Sequence, residues 1–335
     1  MTFEETWTAI EQSSQQALAG IVRRRVLPNS FCPLFLGIEK PAGRRVFLVR
    51  AATADIPDPN NFPKTRGIEL QLGTMPDDPT GFSSVMLVLN EAPFKDIFST
   101  LAADIADHMA VVADNRTAVE QLIARLNRWQ AFLERHGSEG LSQTAQRGLF
   151  GELWFMRHYL LPFAGPQNVA AWTGPHLAVQ DFQMSGMAVE VKTTIAKEHQ
   201  KMRITGEGQL DSSAQLRIFL LHLSLNPLRD TGITLVEMIG QIRALLAISP
   251  LSLAAFEDLL IFAGYLDSHA SRYQSTGYLE REHNFFEVRG NFPRITSHHL
   301  LPGVGDLCYS ISVAECRHYA ILDADVTALL SLLRT

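Results

Sequence analysis

The stretch from Val179 to Lys192, VQDFQMSGMAVEVK, constrains this chain more than any other. It reads as two short strands around a Ser185-Gly186 turn. In the second strand Met187, Val189 and Val191 alternate with Ala188, Glu190 and Lys192, the period of two expected of strands. A two-residue loop sets Asp181 directly opposite Glu190, with Lys192 two residues further on the same face. Counting outward from the turn, Asp181 and Glu190 form a non-hydrogen-bonded pair, with Cβ atoms roughly 4.5–5.5 Å apart. Two carboxylates that close repel unless a proton or a cation lies between them. The sequence builds a destabilising contact into an otherwise well-formed hairpin, and that points to a metal.

Upstream, Ser142 can cap a helix running to about Leu161, closed by Pro162. Leu149, Leu153, Met156 and Leu160 form its buried stripe. Glu152 shares a face with Gly148, Leu149, Phe155 and Met156 and points partly inward. An inward carboxylate needs a partner. Arg147 or Arg157 can supply one across the helix surface, and that is the structural alternative to a ligand role.

Glu190-Val191-Lys192, with Asp181 a short turn upstream, resembles the signature of the PD-(D/E)XK nuclease superfamily. The stretches GLFGELWF (148–155) and VEVKTT (189–194) are similar to a bacterial group of PD-(D/E)XK motif proteins often encoded beside phage-defence genes. The helix raises the specificity beyond that of a bare Asp…Glu-x-Lys. Gln180 stands where the eponymous proline would be; that proline carries no ligand. The resemblance implies that Asp181 and Glu190 hold Mg²⁺ (with Mn²⁺ able to substitute), that Val191 adds its backbone carbonyl, and that Glu152 is the helix-borne acidic residue beside the metal. It implies that Lys192 sits by the attacking water. Hard carboxylate oxygens suit Mg²⁺, which keeps several waters and needs few protein ligands.

The chain has 335 residues, 46% hydrophobic and 19% charged, enough for one large or two ordinary domains. No apolar run reaches the ~18–20 residues of a membrane span, and the acidic start MTFEE lacks the features of a signal peptide. Cys32, Cys308 and Cys316 form neither a disulfide framework nor a zinc ribbon. A cytoplasmic protein is expected. The net charge of −6 argues mildly against non-specific nucleic-acid affinity, although phosphate contacts are local. Lys197, Lys201 and Arg203 follow the hairpin where a DNA backbone would run; on charge alone they read as a solvated loop. His298-His299 with Cys308, Cys316 and His318 match no strong zinc spacing. There is no Gly-x-x-x-x-Gly-Lys phosphate loop and no Gly-x-Ser-x-Gly elbow.

Along the chain, residues 3–22 have helical spacing, with Arg23-Arg24-Arg25 as an exposed helix end. Short apolar segments at 32–38, 45–51, 67–72 and 83–89 read as an antiparallel sheet, followed by helices at roughly 92–111 and 115–135. In the first of these His108 reads as a surface residue. The segment 135–140 is the boundary. Past the hairpin, 201–205 reads as a short strand and 216–225 as a fully buried central strand. Helices follow at 234–248 and 253–266, then a β-rich tail from Tyr273 to about Ala320 and a helix at 324–334.

The expected fold is α/β (α+β): an N-terminal β-plus-helix region, 1–136, and a restriction-endonuclease-like domain, 141–335, with a mixed central sheet flanked by helices. The expected activity is Mg²⁺-dependent cleavage of DNA, in a restriction or defence setting that the resemblance implies, with possible defence partner proteins and no membrane. Double-strand cutting would favour a homodimer. The competing expectation is a catalytically silent DNA-binding or scaffold subunit on the same fold. Retention of Glu152, Asp181, Glu190 and Lys192 favours the enzyme.

Overall fold

The computed structural model describes residues 2–14, 17–63, 67–136, 139–212 and 217–334. They fall into two compact units, Met1–Gly140 and Leu141–Thr335. Gly137 and Ser138 of the expected boundary, and Leu216 of the expected central strand, lie outside the described residues.

In the first unit, α1 (Phe3–Ser13) starts at a Thr2–Glu5 capping box and buries Trp7 and Ile10. The helix expected to reach residue 22 stops here. Residues from Gly20 form β1 (Gly20–Val26), so Arg23-Arg24-Arg25 lie in a strand and not at a helix end. Ile21, Val22 and Val26 are β-branched, stiff at χ1 and suited to a pleated edge. Then come β2 (Leu34–Lys40), β3 (Arg44–Ala52), β4 (Ile68–Gly73) and β5 (Phe82–Leu89). They make an antiparallel sheet in the order β1-β2-β3-β5-β4. In α2 (Lys95–Met109) Ile97, Phe98, Leu101, Ile105 and Met109 are buried. Half-exposed His108 sits with Nδ1 2.8 Å from the Asp104 carbonyl oxygen, a helix-surface residue as its position suggests. The last helix is α3 (Asn115–His136).

The second unit opens with α4 (Gln143–Phe155), capped by Ser142 Oγ accepting from the Ala145 N–H. Pro162 does not close the helix. The chain winds on as a π-helix over Met156–Ala164 with Pro162 inside it. The wider turn absorbs the missing proline N–H and the ring's clash with the preceding turn, which would break an α-helix. The remaining elements are β6 (Phe182–Met184), β7 (Met187–Thr194), β8 (Lys201–Ile204), β9 (Arg217–Arg229), β10 (Ile233–Thr234), α5 (Leu235–Leu246), α6 (Pro250–Phe262), β11 (Thr276–Glu287), β12 (Tyr309–Ser312), α7 (Val313–Cys316), β13 (Ala320–Ile321) and α8 (Asp323–Ser331). Helix α6 begins earlier than its sequence pattern suggests because Pro250 suits the first helical turn.

The main sheet runs β10-β11-β9-β7-β6, with β13 also on β11. Strands β7 and β9 are parallel and the other neighbours antiparallel, so the sheet is mixed. Strand β9 is its centre, and residues 218–225 are buried on both faces. On one face Val189, Val191, Phe219, Leu221 and Leu223 pack under side chains from α4, α5, α6 and α8. On the other, Ile218, Leu220 and Phe286 pack with Met202, Ile204 and Ile311 of β8 and β12. That second face is apolar at one end only. Level with Leu220 it carries Glu190, and beyond it Lys192, His222 and Ser224, because paired residues of parallel strands share a face. Strand β8, expected over 201–205, pairs with β12.

Candidate metal centre

The register of the hairpin follows from its turn. Met184 pairs with Met187, Gln183 with Ala188 and Phe182 with Val189. Gly186 takes φ +76°, a conformation that glycine adopts without penalty. One more step outward would set Asp181 opposite Glu190, as the turn predicts, but the pairing stops first. Strand β6 ends at Phe182, so Asp181 is already off the ladder. Its carbonyl accepts the N–H groups of Thr173 (2.8 Å) and Gly174 (2.9 Å). Its carboxylate turns back to β7 and accepts the Val191 N–H through Oδ2 at 2.8 Å. A short β6 leaves β7 with an open edge, and the Asp181 side chain takes the donor a longer strand would have taken.

Glu190 is 1% exposed. Lys192 Nζ lies 2.6 Å from Glu190 Oε1, an ion pair at the floor of the site. Lys192 also lies 3.4 Å from Oε1 of Gln209, which accepts the Thr205 N–H at 3.0 Å.

Glu152 reaches the site because α4 packs hard against β7. A Cβ added at Gly151 would come within 2.4 Å of Thr193 Cγ2, so only glycine permits this approach. The arginine partners open to Glu152 from sequence are not used. Its Oε2 accepts from Trp172 Nε1 at 2.7 Å, while Arg157 Nη1 lies 2.5 Å from His158 Nε2. Gly174 lies between the carboxylates: an added Cβ would sit 3.1 Å from Asp181 Oδ1 and 3.1 Å from Glu152 Oε2. Any side chain there would fill the space the two acids face.

Burial and crowding dominate the electrostatics. Burial, then the Asp181 charge, pushes Glu190 up to about 8. Burial, then Asp181, holds Glu152 well above the ordinary carboxylate range. Burial raises Asp181 as well, against the pull of Lys192 and the Val191 N–H. Burial pulls Lys192 down, but Glu190 and Asp181 outweigh it and the net shift is upward. Three acids whose ionised forms are each disfavoured, gathered around a single lysine, fit a divalent cation. A bound cation reverses every one of these penalties.

All four of these side chains line one cleft of about 630 Å³. Lys201 and Arg203 line it too; Lys197 is exposed in the loop after β7 and does not. Trp172, Gly174 and Gln209 were not legible as site residues from local pattern. Trp172 and Gly174 precede the hairpin in an irregular segment, and Gln209 lies in a turn after β8.

No curated protein and no solved structure matches the chain. Residues 3–314 match the family DUF4420, described as "Putative PD-(D/E)XK family member". That span contains the hairpin, α4 and every residue of the site. The chain therefore belongs to DUF4420, and through it to the PD-(D/E)XK group that its Asp181, Glu190 and Lys192 resemble.

Proposed function

We propose that this protein is a metal-dependent nuclease that hydrolyses phosphodiester bonds in DNA. Asp181, Glu190, Glu152 and the Val191 carbonyl would hold Mg²⁺, or Mn²⁺ in its place. The observation that carries this reading is Glu190: a carboxylate 1% exposed, paired at Oε1 with Lys192, on the wall of an open cleft beside two more buried acids. One lysine cannot offset three buried carboxylates, and a divalent cation among them would.

When bound, the cation supplies Lewis-acid polarisation of a phosphoryl oxygen and lowers the pKa of a water. Lys192 does the rest of the electrostatic work. It donates hydrogen bonds to an attacking water or to the developing phosphorane charge. Gln209 limits its orientations. Lys201 and Arg203 place positive charge along the cleft for the nucleic-acid backbone. The resemblance to defence-associated proteins suggests a restriction or phage-defence setting with partner proteins, and cutting both strands would take two copies, each with one site.

The test is incubation of the purified protein with long mixed-sequence DNA and Mg²⁺ or Mn²⁺, with EDTA as control. Metal-dependent nicks support the reading. A metal-binding protein that leaves every duplex and single strand intact would support the scaffold alternative.

A further inference from the structure

The cleft over the carboxylates continues past its own rim. Arg147 of α4 and Ile195, just beyond β7, line it and also line a second cleft of about 370 Å³. The two hollows meet along these side chains. The second lies beside the facing ends of β9 and β11, where Arg229, Thr276 and Tyr278 join Gln143 from the first turn of α4. Its walls are of two kinds. Tyr278, 5% exposed and with its ring 4.7 Å from that of Phe150, gives a fixed aromatic edge, and Ile195 gives an exposed apolar one. Gln143, Ser275 and Thr276 give polar atoms.

Arg147 is the notable group at the junction. Its Nε is buried and has no hydrogen-bond partner among the described residues. Its charge reaches Tyr278, whose phenol is raised by burial and drawn back by the guanidinium. A guanidinium keeps its charge at any working pH and offers a planar fork of donors that matches a phosphate. The side chain lines both hollows, so that fork can meet an anionic oxygen lying between them. The hollow has the volume of a small-molecule site, which suits one unstacked base with its sugar and not a stacked duplex.

Resting on the nuclease reading above, we infer that the second cleft takes an unpaired nucleoside flanking the phosphate held at the carboxylates, with Arg147 gripping a backbone phosphate oxygen between the two. The substrate class is then a single strand, or a duplex opened beside the cut, as enzymes that read extruded or unpaired bases require.

The experiment is fluorescence anisotropy with the full chain and Mg²⁺ in the Lys192→Ala background, so that a bound strand persists. The probes are a labelled single strand, the matching blunt duplex, and a set of strands carrying one abasic residue at successive positions. The single strand binds more tightly than the duplex. Arg147→Met weakens it about tenfold and lowers the slope of log K against log salt by about 1, while Arg147→Lys restores the slope. One abasic position weakens binding about tenfold, and Ile195→Trp, which fills the second cleft from an exposed position, removes that positional effect. An unchanged affinity and slope in Arg147→Met, equal effects at every abasic position, or absence of strand binding overturns the inference. The nuclease reading fails separately, by absence of any metal-dependent product from the wild type.

Discussion

Gln180 donates from Nε2 to the main-chain carbonyl of Gln209 at 3.2 Å, and Gln209 in turn presents its side-chain oxygen to Lys192. Gln180 is 5% exposed, bonds the Gly208 carbonyl as well, and has its own Oε1 held by Gln183 Nε2 at 2.9 Å. The residue that replaces the group's proline therefore ties the Asp181 segment to the turn facing the lysine. Gln180→Pro removes that tie without touching a ligand. It lowers the cleavage rate about tenfold with an unchanged metal-binding midpoint, as outer residues that orient a site commonly do. Rates at saturating Mn²⁺, set beside Mn²⁺ titrations of both proteins, check this.

Gly151 fixes the distance from α4 to β7, and through it the position of Glu152. Gly151→Val forces branched carbons into Thr193. The protein loses about 1–3 kcal/mol by overpacking. Urea denaturation measures the loss. A variant as stable as wild type would show that the helix rides free of the strand.

Asp181 and Glu190 repel in the metal-free protein. Asp181→Asn keeps an oxygen for the Val191 N–H and removes the charge. Its melting temperature without metal rises by a few degrees, roughly what 1 kcal/mol produces in a chain of this size. Mg²⁺ or Mn²⁺, which stabilises wild type by mass action, no longer shifts it. A full metal response in Asp181→Asn would place the cation elsewhere.

His222 gives a pH dependence of the opposite sign to the acids. It is fully buried, with Nε2 2.9 Å from Thr194 Oγ1, and burial, then the Arg281 charge, lowers it to about 4 from 6.5. The unfolded chain therefore binds the extra proton between pH 6.5 and 4. Stability from this group is complete above pH 6.5 and falls as pH drops toward 4, by on the order of 2–3 kcal/mol. The raised Glu190 acts the other way, its neutral form favouring the fold until pH rises through about 8. The difference between wild type and His222→Phe isolates the histidine. Denaturant midpoints at pH 7.5 and 5 show a smaller acid loss in the variant.

How much of this was legible follows from how local each determinant is. The hairpin register rests on a two-residue turn, so the pairing from Met184–Met187 out to Phe182–Val189 was legible from residues a few apart. Asp181, one step further, leaves the ladder and turns its carboxylate to the Val191 N–H, which the turn does not reveal. Strand β9 announces itself by an unbroken apolar run. The helix expected over 3–22 failed where Ile21 and Val22 found β2, a partner that helical spacing cannot reveal. Pro162 misled because a π-helix is a response to tertiary packing around Met156, Tyr159 and Leu160. The partners of the acids came from afar: Trp172 stands 20 residues from Glu152 and Gln209 stands 17 from Lys192. Local pattern identifies the charged groups; the fold chooses who meets them.

The most direct test sets wild type beside Lys192→Ala in one assay, following Mn²⁺ binding and cleavage of long mixed-sequence DNA together. Lys192 pairs with Glu190 but supplies no ligand oxygen, so the variant still binds the cation. Its cleavage falls by about 10²–10³, the loss typical of removing one donor that acts in the transition state. Metal binding in both proteins with rapid cleavage by wild type alone is the predicted result. Equal nicking by the two would contradict the account.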